Sequence, residues 1–191
     1  AFADRPVHEM TDEYDLMVID YPHVGEIAAK NLLVKLDMVN YDEKLEKLRN
    51  ESVGLSCDSY KIGNHQWALP IDAASIVACY RKNLISDLPK NWNQLINLSN
   101  DNKVLWPLKP VHAISSFYSI YNNIGDSFDP LNKDFMKKDQ FVKTLQMMRE
   151  VSVLISKECL DMDPIVVAEE MAESNNIFYC PYLYGYSNYS R

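Results

Sequence analysis

The chain has 191 residues, of which 47% are apolar and 24% charged, with a formal net charge of −8. That length suits one large domain or a domain and a half, and the apolar content excludes wholesale disorder. The acid excess argues against a general nucleic-acid binder, which needs a basic face. No apolar run reaches the roughly 18 residues of a membrane-spanning helix.

Residues 14–20, Tyr-Asp-Leu-Met-Val-Ile-Asp, are a short apolar run with β-branched members and no helical period, which predicts a buried strand. Pro22 follows, and the stretch from Gly25 to Leu33 reads as a helix. Residues 32–36 form a second apolar run and a second expected strand. Asn40 with Glu43 resembles a capping box, and Glu43 with Lys47 is a helical i,i+4 ion pair; that helix turns Leu45 and Leu48 inward. Residues 52–63 are polar and turn-rich.

Residues 66–80 are long and apolar, but Pro70 forbids one continuous helix, so two extended segments breaking near Pro70 to Asp72 are expected. A short helix follows over 92–98. Residues 103–108 read as a strand, and Pro110 opens a helix to Ile124 that stops at Gly125. Beyond a polar loop over 126–138, Phe141, Leu145, Met148, Val151 and Ile155 mark one face of a long helix. Asp163 and Pro164 are an N-cap and first-turn pair opening a helix through Met171. Residues 177–180 are the last expected strand, ahead of an aromatic tail. Strand and helix in alternation predict an α/β class with a mostly parallel sheet.

Cys57, Cys79, Cys159 and Cys180 include no CxxC spacing, and the plainer reading is buried thiols acting as small hydrophobes. Four cysteines also allow three disulfide pairings, among which the sequence does not choose. The four His are scattered and predict no metal site.

In open α/β sheets ligands bind beyond the carboxyl ends of strands, beside helix N-termini. Two such places look alike here: Asp20-Tyr21-Pro22-His23 and Lys109-Pro110-Val111-His112. Trp67 and Asp72 flank a Pro-stiffened apolar segment and suit a binding floor: a flat indole face beside a carboxylate that accepts from hydroxyls. Tyr182, Tyr184 and Tyr186 alternate, so an extended chain places them on one side, near Asn188. Such a mixture fits a sugar, with its C–H faces and its hydroxyls. Each residue also has a structural reading as core or solvated surface. No GxSxG, GxGxxG or Walker loop is present, and no carboxylate pair stands out, so catalysis has no positive support.

Three segments carry a family resemblance. They are Tyr14 through Gly25, Gln66 through Ala74, and Tyr179 through Tyr189, with support from Asn91-Trp-Asn-Gln-Leu and Cys159-Leu-Asp-Met-Asp-Pro. Together they resemble bacterial extracellular solute-binding proteins, the receptors of ABC importers, in the carbohydrate-type branch. The resemblance implies a type II periplasmic-binding fold with two α/β lobes and mostly parallel sheets. Residues 1–66 would be a partial lobe one, 67–78 the first crossover, 79–178 a nearly complete lobe two, and 179–191 the return crossover. A solute, expected to be a sugar, would be clamped between the lobes and delivered to an ABC permease. Asp20, Tyr21, His23, Trp67, Asp72, Lys109, His112, Tyr184, Tyr186 and Asn188 would bind it, without catalysis, cofactor or metal. The location implied is extracellular, periplasmic or a cell-surface lipoprotein. The chain reads as a central fragment whose incomplete lobe one exposes a strand edge open to self-association. A sugar-acting hydrolase or transferase, and a protein-interaction module, are the competing readings.

Overall fold

The computed structural model describes residues 5–38, 42–127 and 135–185. They fall into two compact units, Ala1–Ala73 and Ala74–Arg191. The division lies inside the 67–78 segment.

The first unit is built from short helices. These are α1 (Val7–Met10), α2 (Val24–Lys30) and α3 (Asp42–Glu51), with 3-10 turns at Tyr21–His23, Leu36–Met38 and Asp58–Tyr60. Asn31 ends α2 in the left-handed conformation, and the Leu32 N–H reaches back to the Ile27 carbonyl. That arrangement satisfies carbonyls the last turn would otherwise leave open. A small hairpin follows, β1 (Lys61–Ile62) and β2 (His65–Gln66). Its two turn residues, Gly63 and Asn64, both have positive φ, the geometry that matches the natural twist of a two-residue hairpin.

Val7, Val24, Ile27 and Trp67 form the core of this unit. Trp67 is 3% exposed. Its indole N–H donates to the Ile62 carbonyl at 3.0 Å, and the Lys35 ammonium lies 5.4 Å from its ring centre. Asp37 ties its own turn to β2: one carboxylate oxygen accepts from the Gln66 N–H at 2.8 Å, and the other lies 2.9 Å from His65 Nδ1.

The second unit has the larger core. Its elements are β3 (Ile76–Tyr80), α4 (Trp92–Asn100), α5 (Pro110–Ile124), α6 (Lys138–Ser152), a 3-10 turn at Lys157–Leu160, α7 (Pro164–Glu173) and β4 (Tyr179–Tyr184). Trp106, Ile120, Val151, Val167, Cys159 and Cys180 are sealed among them. The Trp106 indole N–H donates to Ser116 of α5 at 2.9 Å, and its ring packs on Tyr182 of β4. On α6 the buried positions are Thr144 and Val151, with Met147 and Met148 partly covered. Phe141 and Leu145 lie on the flank of that face and stay exposed. Asp163 caps α7 as expected, accepting from the Ile165 and Val166 N–H groups.

β3 and β4 pair antiparallel, with Ile76 opposite Tyr184, Val77 opposite Leu183, Cys79 opposite Cys180 and Tyr80 opposite Tyr179. One residue, Ala78, stands between Val77 and Cys79, whereas Pro181 and Tyr182 stand between Cys180 and Leu183. The extra residue is a bulge on β4. Pro181 fits there because a bulge tolerates the missing N–H.

The mostly parallel, two-lobe periplasmic-binding architecture is therefore corrected. The sheets among the described residues are two antiparallel pairs, and helices carry most of the regular structure. Residues 14–20 and 32–36 form no strand there. A parallel strand is covered on both faces, yet Leu16 is 91% exposed and Val18 60%. On the far edge of β4, Val104 makes one parallel bridge to Tyr179, and Leu105 N–H donates to Tyr179. Pro107, two residues on, cannot donate to a ladder.

Two stability measurements follow from these anchors. Asp163→Ala removes a side chain that satisfies two helix N–H groups, and the expected cost is about 1 kcal/mol. It is read as a lower urea midpoint with an unchanged slope. The Asp37 carboxyl is held below its ordinary range chiefly by the His65 hydrogen bond. Its stabilising contribution is thus present above about pH 3.9 and lost as pH falls through the lowered folded value. Asp37→Asn is expected to flatten the acid limb of a urea-midpoint-against-pH curve.

Candidate functional site

Of the ten residues expected to bind a ligand, three gather at one place in the second unit. Lys109 and His112 lie at the start of α5, where Pro110 occupies the first helical position and the Lys109 carbonyl accepts from the His112 and Ala113 N–H groups. Two backbone bonds hold this start in place: Leu108 N–H to the Cys159 carbonyl at 2.9 Å, and Lys109 N–H to the Met162 carbonyl at 3.3 Å. Tyr184 arrives from the end of β4. Its ring meets the His112 ring edge-on at 6.3 Å between centres. Its hydroxyl donates to Ser115 Oγ at 3.3 Å, and Ser115 in turn donates to the Val111 carbonyl.

The alternation of the tyrosines places two described rings beside α5. Tyr182 packs on Trp106, which is bonded to Ser116, and Tyr184 reaches His112 and Ser115. The Tyr182 hydroxyl is pushed up to about 12 by burial, so it stays protonated and can donate. Tyr186 and Asn188 lie outside the described residues.

His112 is half-buried, and its Nδ1 is shut off from solvent without a hydrogen-bond partner among the described residues. Burial lowers its pKa; the Asp163 carboxylate opposes that shift, and the Lys109 ammonium adds to it. The imidazole is therefore neutral at pH 7, with one nitrogen able to accept and the other to donate.

The five remaining residues belong to the first unit. Tyr21 is exposed and lies edge-on to Tyr60, while Asp20 and His23 are half-buried at the turn that leads into α2. Burial and the nearby Asp20 carboxylate both raise the Tyr60 hydroxyl. Trp67 is not a binding floor, because its ring is enclosed in the core and its N–H is taken. Asp72 is exposed and folds back on the N–H of Ala73 at 2.7 Å.

Ser115 was not expected at the site, although its position three residues after His112 on one helix face is the signal that would have found it. A shallow depression lined by Met136 to Gln140 contains none of the expected residues. Among the described residues, no group of three or more His, Cys, Asp or Glu side chains is placed to hold a metal. No described helix is long and apolar enough to cross a membrane. No protein-family model matches the chain, and no curated protein matches it.

The charge balance at His112 can be read directly. Its unfolded pKa is about 6.5 and its folded value is lower, so protonation favours the unfolded chain. Stability is expected to be full above about pH 6.5 and to fall as pH drops from there toward the folded value. In an NMR titration of the imidazole protons, Lys109→Ala should raise the His112 midpoint and Asp163→Asn should lower it.

Proposed function

We propose that the second unit carries a non-catalytic binding site for a small polar solute, with a sugar as the expected class. One observation carries this reading: the meeting of Tyr184, His112 and Ser115 beside Lys109 at the start of α5. The Tyr184 ring supplies a flat face for sugar C–H groups. Its hydroxyl, the neutral imidazole, the Ser115 hydroxyl and the Lys109 ammonium supply the donors and acceptors that hydroxyls require. The helix start adds a field that favours electron-rich oxygens. Delivery to an ABC permease, and an extracellular place of action, rest on the three resembling segments alone.

The test is a thermal-shift screen of sugars and small polar solutes, followed by calorimetry on any responder. A solute at 100 times its dissociation constant adds about 2.7 kcal/mol of stability to the state that binds it. Tyr184→Phe, which keeps the ring, and Lys109→Ala, at an exposed position, are each expected to weaken that solute at least tenfold. That loss corresponds to about 1.4 kcal/mol. Unchanged affinity in both variants, or no response across the panel, overturns the proposal. Release of reducing ends from a glycoside would favour the enzyme reading instead.

A further inference from the structure

Cys79 and Cys180 face each other directly across the β3–β4 ladder. Residues opposite one another on antiparallel strands project to the same face. Both thiols accordingly lie at the core, Cys180 fully buried and Cys79 half-buried against the same cluster. The spacing can be read from the ladder. Tyr179 turns its N–H to the Lys103 carbonyl and its own carbonyl to the Leu105 N–H, away from β3, so its pair with Tyr80 is not hydrogen-bonded. Alternation makes Cys79 with Cys180 the next, bonded pair. Bonded pairs have α-carbons about 5.5 Å apart. That is close to the commonest separation in disulfides.

From this register we infer that Cys79 and Cys180 form a cross-strand disulfide when the chain is exposed to a disulfide oxidant. The cross-link would tie the strand that begins the second unit to the strand that closes it. The inference is independent of the solute-binding reading.

The chemistry balances as a thiol–disulfide exchange. The Cys79 thiolate attacks one sulfur of an oxidant RSSR, breaking its S–S bond and releasing RS⁻. The Cys180 thiolate then attacks the Cys79 sulfur of the mixed disulfide and releases the second RS⁻. Two cysteine thiols lose two electrons and two protons, and the oxidant becomes two RSH. Cys79 is the entry point because it is the accessible member of the pair. Burial raises both thiols, and the neighbouring Cys79 and Cys159 raise Cys180 further. Both steps are therefore slow in the folded protein and faster while β3 and β4 are still docking. Closure also needs the β-carbons to move from about 5 Å to about 3.8 Å. The bulge at Pro181 and Tyr182, one residue away, gives β4 the local twist for that movement.

Cys159 is the competing partner. It is buried in the same core, but it sits on the 3-10 turn at Lys157–Leu160, whose backbone is bonded to Leu108 and Ser156. No ladder sets it opposite Cys180.

The experiment refolds the whole chain in a mixture of reduced and oxidised glutathione. Free thiols are blocked with N-ethylmaleimide, and unreduced peptides are mapped by mass spectrometry. The expected result is one linked peptide pair containing Cys79 and Cys180, with Cys57 and Cys159 alkylated. The linked protein should melt several degrees higher than the reduced protein, and dithiothreitol should reverse the shift. Cys159→Ala should leave the link intact, and Cys79→Ala should abolish both link and shift while circular dichroism reports a folded chain. Linkage of Cys180 to Cys159 overturns the inference. So does a glutathione adduct on Cys79 without the cross-link, or four alkylated thiols in a folded sample. Should Cys79→Ala fail to fold, the peptide map of the Cys159→Ala protein decides alone.

Discussion

The pairing of β3 with β4 is the constraint on which the second unit depends. The two strands come from opposite ends of its sequence, so their contact closes nearly the whole unit into one loop. Closing so long a loop costs entropy that local helices cannot repay. The return comes from burial along β4, where Tyr179, Cys180 and Leu183 are all covered in the core that holds Trp106, Cys159 and Val167; Tyr179 and Cys180, being consecutive, bury opposite faces of the strand. The same pairing brings Arg81, just beyond β3, to the end of α7. There its guanidinium donates to the carbonyls of Met171, Ala172 and Ser174, which the helix leaves open. It also carries Tyr184 to α5. Fold and candidate site thus share one determinant.

The helices of the second unit were legible because their signals are local. Pro110 begins α5, Asp163 and Pro164 begin α7, and both helices start where these residues place them. The sheet was not legible, since strand direction is decided by partners distant in sequence. Residues 14–20 carry every compositional mark of a strand, yet no ladder partner stands beside them among the described residues. Residues 103–108 carry the same marks and give a single bridge, because Pro107 ends the ladder. The expected face of α6 was displaced for a related reason. Thr144 takes the sealed position by bonding its hydroxyl to the Gln140 carbonyl, and a polar side chain satisfied in this way does not show in an apolar pattern.

The site was legible to a similar extent. The placement of Lys109 and His112 at a helix start, and of Tyr184 on a strand, is legible in the spacing. All three depend on short-range geometry, the quantity that sequence spacing encodes. The spacing does not separate the two readings of Trp67, because a Trp beside a Pro-stiffened segment reads the same whether its ring faces a ligand or a core. What separated the two was the hairpin turn at Gly63 and Asn64. By folding β1 back on β2 it puts the Ile62 carbonyl within reach of the indole N–H. A Trp whose donor is satisfied inside its own unit has no polar handle left for a ligand.

The two units differ in how firmly burial specifies them. In the second, sixteen buried residues among those described form one cluster drawn from the helices, the 104–108 segment and β4, with Cys79 of β3 packed against it. In the first, four of the described residues form the cluster, and three of them lie on α1 and α2. A core that small leaves polar ties to set the geometry. Asp37 with His65 and Gln66, and Trp67 with Ile62, do so by joining segments that apolar contact alone would leave loose. Hydrogen bonds of this kind contribute about 1 kcal/mol each, and they cost more than that to leave unmade once buried. The buried Gln66 shows both sides of this, since its Oε1 has no hydrogen-bond partner among the described residues. Its amide nitrogen donates to the carbonyls of Cys57 and Ala68, so one side chain closes the loop over the hairpin. The first unit is therefore held by directional contacts where the second is held by area. Asp37, held below the ordinary carboxylate range by its hydrogen bond with His65, stands at the centre of those contacts and makes them sensitive to acid.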